Sequence, residues 1–292
     1  MAVVTRRRLV VSGDDFGAAP EVNRGVVRAH REGILTSASL MVTGTAAASA
    51  VALARENPGL AVGLHLVLAQ GRPAAPPKEI PCLVGADGTF GNESVALGFR
   101  YAWECVTSTG ETQLRREIEA QLDAFRAAGL ALAHVDGHLN MHLHPMVLAI
   151  LIDVAPRHGI RALRLSRENL TAALGHDTGH FARKVLEGLV FQGLGAWAAP
   201  RLRAAGIATA DRVYGMHQTG HVDERYLLAL LADLPPGVSE LYCHPAETTP
   251  AALAAWQPGY DHAGELAALT SPRVRAAVEA AGVELTTYAA LV

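Results

Sequence analysis

Short apolar runs alternate along this chain with longer stretches in which apolar residues recur every three or four positions. Leu9, Val10 and Val11 make an uninterrupted apolar run of the kind that forms a strand buried on both faces. Residues 20–31 follow with helical spacing, Val22, Val26, Val27 and Ala29 forming the apolar side and Pro20 lying near the start. The same alternation predicts further strands at 37–42, 61–68, 162–165, 211–214, 240–243 and 283–285. Further helices are predicted at 45–56, 111–128, 145–157, 226–234 and 272–281. Residues 170–205 are helical in composition but interrupted by Gly179, Gly188, Gly193 and Gly195. Repeated β/α units with right-handed connections build a parallel sheet. Seven or eight of them predict an α/β fold, a distorted (β/α) TIM-like barrel with seven or eight parallel strands, with residues 1–292 as a single catalytic domain. Residues 69–110, rich in proline and glycine, read as a lid or insertion, because a loop of that length is otherwise uncommon in a compact domain.

Chemistry gathers at the ends of the predicted strands. The first run breaks at Gly13 and is followed at once by Asp14 and Asp15. Adjacent carboxylates are tolerated when a cation separates their roles, one binding it while the other works as acid or base. Residues 133–145 carry four of the 13 histidines, and His134, Asp136, His138, Asn140, His142 and His144 all fall on even positions. In an extended chain these side chains share one face, so several imidazoles can aim at one point, where they suit a divalent transition metal. His65 sits inside the apolar run 61–68 and by itself reads as a core histidine, while His244 closes the run 240–243 just before Pro245.

Composition narrows the classes. Half of the residues are hydrophobic but only 5% are aromatic, so the core must be built from Ala, Leu and Val. The 25 basic residues against 28 acidic ones are scattered rather than striped, which excludes a nucleic-acid surface. The apolar stretch 38–54 is interrupted by Thr43, Gly44, Thr45 and Ser49 and is too short for a membrane span. Cys82, Cys105 and Cys243 are odd in number, with no Cys-x-x-Cys pair, and read as reduced thiols in a cytoplasmic protein. No Gly-x-Gly-x-x-Gly follows the first strand. His176 and His180, like His217 and His221, are four apart, but Gly179 and Gly220 lie inside those intervals. These four, with His30, His158 and His262, read as surface or loop histidines.

The segments Gly13-Asp14-Asp15-Phe16-Gly17, Leu35-Thr36-Ser37-Ala38-Ser39, Gly63-Leu64-His65-Leu66, His134-Val135-Asp136-Gly137-His138 and Cys243-His244-Pro245 resemble, in kind and order, the YdjC-like carbohydrate deacetylase family. Ser39-Leu40-Met41-Val42, Gly63-Leu64-His65-Leu66-Val67-Leu68 and His142-Leu143-His144-Pro145 are similar to its members associated with hopanoid biosynthesis. The resemblance implies hydrolysis of the N-acetyl group of an amino sugar by one divalent metal ion, Mg2+ or Zn2+. It places that ion on Asp15, His65 and His138, with Asp14 as the base and a protonated His244 as the acid. Phe16, Asp136 and His142 are the candidate substrate contacts. The implied partner is a small-molecule or lipid-linked amino sugar, N-acetylglucosamine on a hopanoid lipid or else a chitooligosaccharide. Transient contact with a membrane surface and a homodimer accompany that reading. Two other readings stay open, an amidohydrolase built on His142-x-His144 and a metal-stabilised sugar-binding protein without catalysis.

Overall fold

The computed structural model describes residues 6–91, 108–168 and 181–292. Its spine is β1 (Arg7–Phe16), buried on both faces from Leu9 onward and running five residues past the end of the apolar run at Val11. Around it lie β2 (Ser37–Leu40), β3 (Ala61–Leu66), β4 (Val135–Gly137), β5 (Arg212–Tyr214), β6 (Gly237–Cys243) and β7 (Val283–Thr286). All pairings are parallel, in the order β4-β3-β2-β1-β6-β5, and β7 pairs with the first half of β1, Arg7 to Val10. Single parallel bridges, Val135 with Leu163 and Ala162 with Ala208, extend the sheet past β4. The result is an α/β fold whose parallel sheet curls into a half-barrel. The strand predicted at 162–165 is reduced to those bridges.

The described helices are α1 (Pro20–Glu32), α2 (Ala47–Glu56), α3 (Ser108–Ala127), α4 (Pro145–His158), α5 (Phe181–Ala204), α6 (Glu224–Ala232), α7 (His262–Leu269) and α8 (Pro272–Ala280). Helix α5 runs straight through Gly188, Gly193 and Gly195, where breaks were expected, since glycine only weakens a helix whose other face packs. Gly179, His176 and His180 lie outside the described residues. Helix α7 escapes the periodicity because it is short and follows a loop, its start fixed by Asp261, whose side chain accepts from the Gly264 N–H.

Two glycines are required by close approach. A Cβ on Gly25 of α1 would stand 2.5 Å from the Ala246 Cα, so only glycine lets the chain just beyond β6 lie on this helix. A Cβ on Gly63 would meet the His134 ring at 2.4 Å, and that ring instead stacks on Tyr288. Asn23 ties the end of β1 to α2, accepting from the Gly17 N–H at 2.7 Å and donating to the Ala46 carbonyl at 3.0 Å.

The segment expected to be a lid or insertion is, over its described part, pinned to α3. Gln113, Glu117 and Gln121 form a buried polar stripe on α3, four residues apart. Glu117 accepts from the backbone N–H groups of Ala74 and Ala75, Gln121 bonds both backbone groups of Val67, and Gln113 accepts from the Cys82 N–H. Ile80, Leu83 and Phe90 are buried in the main core. Phe99, Tyr101 and Trp103 lie outside the described residues, as does Cys105.

Candidate active site

The C-terminal ends of β1, β3, β4 and β6 converge. The pairing of β1 with β2 shifts register between Gly13 and Phe16, bracketing the two aspartates, and Asp15 takes a left-handed φ of +61°. That irregularity turns Asp14 and Asp15 toward different partners instead of opposite faces of a regular strand. After β4 the chain leaves the extended form. Residues 138–143 make tight 3-10 turns, with Leu139 and Asn140 left-handed. The even-position alternation therefore holds only through Asp136, and His138 reaches the site from a turn rather than a strand.

Asp15, His65 and His138 come together, each with a ligand atom within 4.8 Å of the others, and all three are buried. The atoms facing one another are the Asp15 Oδ1, the His65 Nε2 at 3.3 Å from it and the His138 Nδ1 at 3.1 Å. On its far side the His65 Nδ1–H donates to the Asp136 Oδ1 at 2.9 Å, the arrangement that orients metal-binding histidines. Burial opposes charge on His65, but Asp136, Asp15 and Asp14 push the imidazole up to about 10. Burial would raise Asp15, yet His138 and His65 hold it well below the ordinary carboxylate value. Four carboxyl side chains (Asp14, Asp15, Asp136 and Glu240) crowd this region against one guanidinium, so the site favours positive charge. A divalent cation fits the Asp15–His65–His138 donor set.

Asp14, His65 and Asp136 also have ligand atoms near one another. That set is spoken for. Arg164, 1% exposed, donates to both Asp14 oxygens at 2.6 and 2.8 Å and through its Nε–H to the Glu240 Oε1 at 3.0 Å, and forms an ion pair with the Asp136 Oδ2 at 2.8 Å. Its guanidinium also lies 4.5 Å from the centre of the Tyr242 ring. Burial opposes that charge, but Asp136, Asp14 and Glu240 overcome it and raise Arg164 well above its ordinary value. A cation there would face a fixed positive charge, whereas the far side of the Asp15 set carries carboxylate and neutral amide groups.

Asp14 and His244 open onto one cavity of about 80 Å3, which His65, His138, Trp256, Gln257 and Tyr260 also line. His244 follows β6 directly and is held from two sides. Its backbone N–H donates to Glu265, and its carbonyl accepts from the His262 Nδ1–H at 2.7 Å. The ring stands edge-on to Tyr260, 5.3 Å between centres. Burial pushes the His244 imidazole below its ordinary value, with Asp15 and Asp14 acting the other way.

The three expected substrate contacts are buried elsewhere. Phe16 is in the hydrophobic core. Asp136 is fully enclosed, bonded to His65, Ser39 and Arg164. His142 is also enclosed, its Nε2 on the Arg164 carbonyl, and burial lowers it to about 4. His217 and His262, expected at the surface, are buried too. Sequence reasoning missed Arg164, Gln70, Trp256, Gln257 and Glu265. Arg164 left one sign, a charged residue between Leu163 and Leu165 in an apolar run; the others left none.

The curled parallel sheet gathers this acidic, histidine-bearing centre at its strand ends, the place where α/β enzymes carry their active sites. The chain belongs to the YdjC-like protein family, whose family model matches residues 8–280. It is 40% identical over 153 residues to a carbohydrate deacetylase of Brevibacillus brevis, a match covering 52% of this chain and 57% of that protein. To a carbohydrate deacetylase of Mus musculus it is 34% identical, over 96% of this chain and 93% of the relative. Among solved structures it is similar to an Enterococcus faecalis protein described provisionally as a cellobiose-phosphate cleavage protein. That likeness has a TM-score of 0.74 at 25% identity, over 98% of this chain and 99% of the other.

Proposed function

We propose that this chain hydrolyses the N-acetyl group of an amino sugar, using a divalent cation held by Asp15, His65 and His138. The observation that carries the reading is the one cavity where His65 and His138 of that cluster meet Asp14 and His244. Relatives named carbohydrate deacetylases support the choice of bond. Two imidazoles and one carboxylate suit zinc better than magnesium, which prefers oxygen donors. Bound there, the ion supplies Lewis acidity to the acetyl carbonyl and a water of lowered pKa.

The chain's own residues do the rest. Arg164 holds Asp14 by both oxygens, each of which keeps a free lone pair, and Asp14 takes the proton of the water attacking the carbonyl carbon. The C–N bond then breaks, and His244 delivers a proton to the departing nitrogen, which leaves poorly as an anion. Acetate and a free amino sugar result. Because burial lowers His244, its protonated fraction falls at a lower pH than that of an ordinary imidazole. The rate should therefore decline on that alkaline limb, and His244→Ala should remove the limb from the pH–rate profile; an unchanged profile returns His244 to a structural role.

A second cavity of about 290 Å3, walled by Met41, Val67, Phe90, Leu253 and Trp256, shares Trp256 with the first. Its apolar lining supports an apolar aglycone, and we assign N-acetylglucosamine on a hopanoid lipid over a chitooligosaccharide. We also read the bridges at Leu163 and Ala208 as closing the sheet into a distorted barrel. Free thiols at Cys82 and Cys243 fit a cytoplasmic enzyme that meets membrane lipid only transiently. The test is acetate release from N-acetylated sugars with and without chelator. Release that chelation stops and zinc restores is expected; no release, or indifference to chelator, contradicts it. Preference for free diacetylchitobiose over the lipid-linked sugar would refute the aglycone alone.

A further inference from the structure

Each atom facing the proposed ion is selected by a hydrogen bond on the opposite side of its own residue, and two of these bonds come from glutamines. The His138 Nε2–H donates to the Gln70 Oε1 at 2.9 Å, which leaves Nδ1 as the nitrogen turned toward Asp15 and His65. The Gln257 Nε2–H donates to the Asp15 Oδ2 at 2.5 Å, which leaves Oδ1 as the oxygen that both histidines approach. The two residues have opposite requirements, and the two amides meet them with opposite ends. Both are also held at a cost. Gln70 has a left-handed φ of +52°, unusual without glycine, and its backbone N–H is fixed on the Gly91 carbonyl at 3.0 Å. Gln257 is buried with its Oε1 lacking a hydrogen-bond partner, so keeping Nε2 on Asp15 strands the other end of the amide. Neither glutamine belongs to a strand. Gln70 lies beyond β3 and lines the apolar cavity, and Gln257 lies in the loop before α7 and lines the catalytic one.

We infer that Gln70 and Gln257 are positioning residues of the ion site, fixing which nitrogen of His138 and which oxygen of Asp15 is presented to the cation. The inference rests on the ion site proposed above. Gln70 keeps a hydrogen on the His138 Nε2, so the lone pair stays on Nδ1; a residue without an acceptor there frees the ring to exchange tautomers and turn. Gln257 holds the Asp15 carboxylate so that one oxygen points inward. The apolar cavity and the catalytic cavity thereby each carry a residue that also orients an ion ligand.

The experiment measures the zinc affinity of the full chain by competition with a chromophoric chelator. It compares wild type, His138→Ala, Gln70→Leu, Gln70→Glu and Gln257→Leu, with folding of each checked by circular dichroism. Losing an outer partner of a metal-binding residue typically weakens metal affinity about 10–100-fold. Gln70→Leu and Gln257→Leu should show losses of that order, while Gln70→Glu, which keeps an acceptor for the His138 N–H, should retain wild-type affinity. The cobalt-substituted Gln70→Leu protein should also show a changed ligand-field spectrum. Wild-type affinity and spectrum in Gln70→Leu and Gln257→Leu, with the ion lost in His138→Ala, would overturn this inference and leave the ion site standing. Equal affinity in wild type and His138→Ala would overturn the site itself.

Discussion

Arg164 is the residue on which the polar interior depends. One guanidinium serves Asp14, Asp136 and Glu240, and Glu240 in turn accepts from the Tyr288 hydroxyl. This arrangement separates the adjacent aspartates by partner, Asp14 paired with Arg164 and Asp15 with the histidines. Asp14→Asn should therefore keep the ion yet lower turnover roughly 10²–10⁴-fold, the range for a lost general base. Metal analysis beside the rate measurement checks this, and loss of the ion with the activity would make Asp14 a ligand. Glu265 supplies a separate pH signature. Burial raises its carboxyl from an ordinary 4.5 to about 8 while it accepts from the Val222 and His244 N–H groups. Between those values the folded chain binds more protons than the unfolded one, so this contribution to stability is full below about pH 4.5 and is lost as pH rises through 8. Melting temperatures of wild type relative to Glu265→Gln should fall across that window; parallel curves would contradict it. Asp14, Asp15 and His244 drew notice because they follow apolar runs, and His138 because it falls in a histidine-rich alternation, whereas His65, by itself a core histidine, entered the candidate site through the family resemblance. Gln70 and Gln257 were not legible, because a neutral amide in a loop carries no pattern until its partner is known.

At the scale of elements, strands and helices followed the apolar periodicity wherever packing alone decides them. Two departures occur where polar groups set the backbone. The 133–145 alternation predicts extended chain, but the left-handed pair Leu139–Asn140 folds it into turns that carry His138 into the site and His142 out of it. Residues 69–91 look like a free loop by composition. Their anchors lie on α3, some forty residues later, in a glutamine and glutamate stripe that a hydrophobic pattern does not register. Backbone amides bonded to buried side chains exchange slowly when local opening is rare. The amides of Val67, Ala74, Ala75 and Cys82 should accordingly be protected in hydrogen-exchange measurements, and Glu117→Leu should release those of Ala74 and Ala75. Rapid exchange in the wild type would restore the lid.

Over the whole molecule, the sheet collects residues separated by up to 242 positions, as Asp15 and Gln257 are, into one centre. Parallel strands make this possible because every C-terminal end lies on the same side. The α/β class and the cluster of acids and histidines were readable in the sequence, since alternating segments and run-ending residues are local. How far the sheet curls was not, because the segments beyond β4 pair through single bridges too short to leave a strand-length run. Among the described residues no helix is long and apolar enough to cross a membrane. The account turns on whether this curled sheet is built around an ion. Metal content of the purified chain, beside Asp15→Ala and His138→Ala, measures that directly. One divalent ion per wild-type chain, lost from both variants, is the predicted result. Undiminished metal in both variants would contradict it.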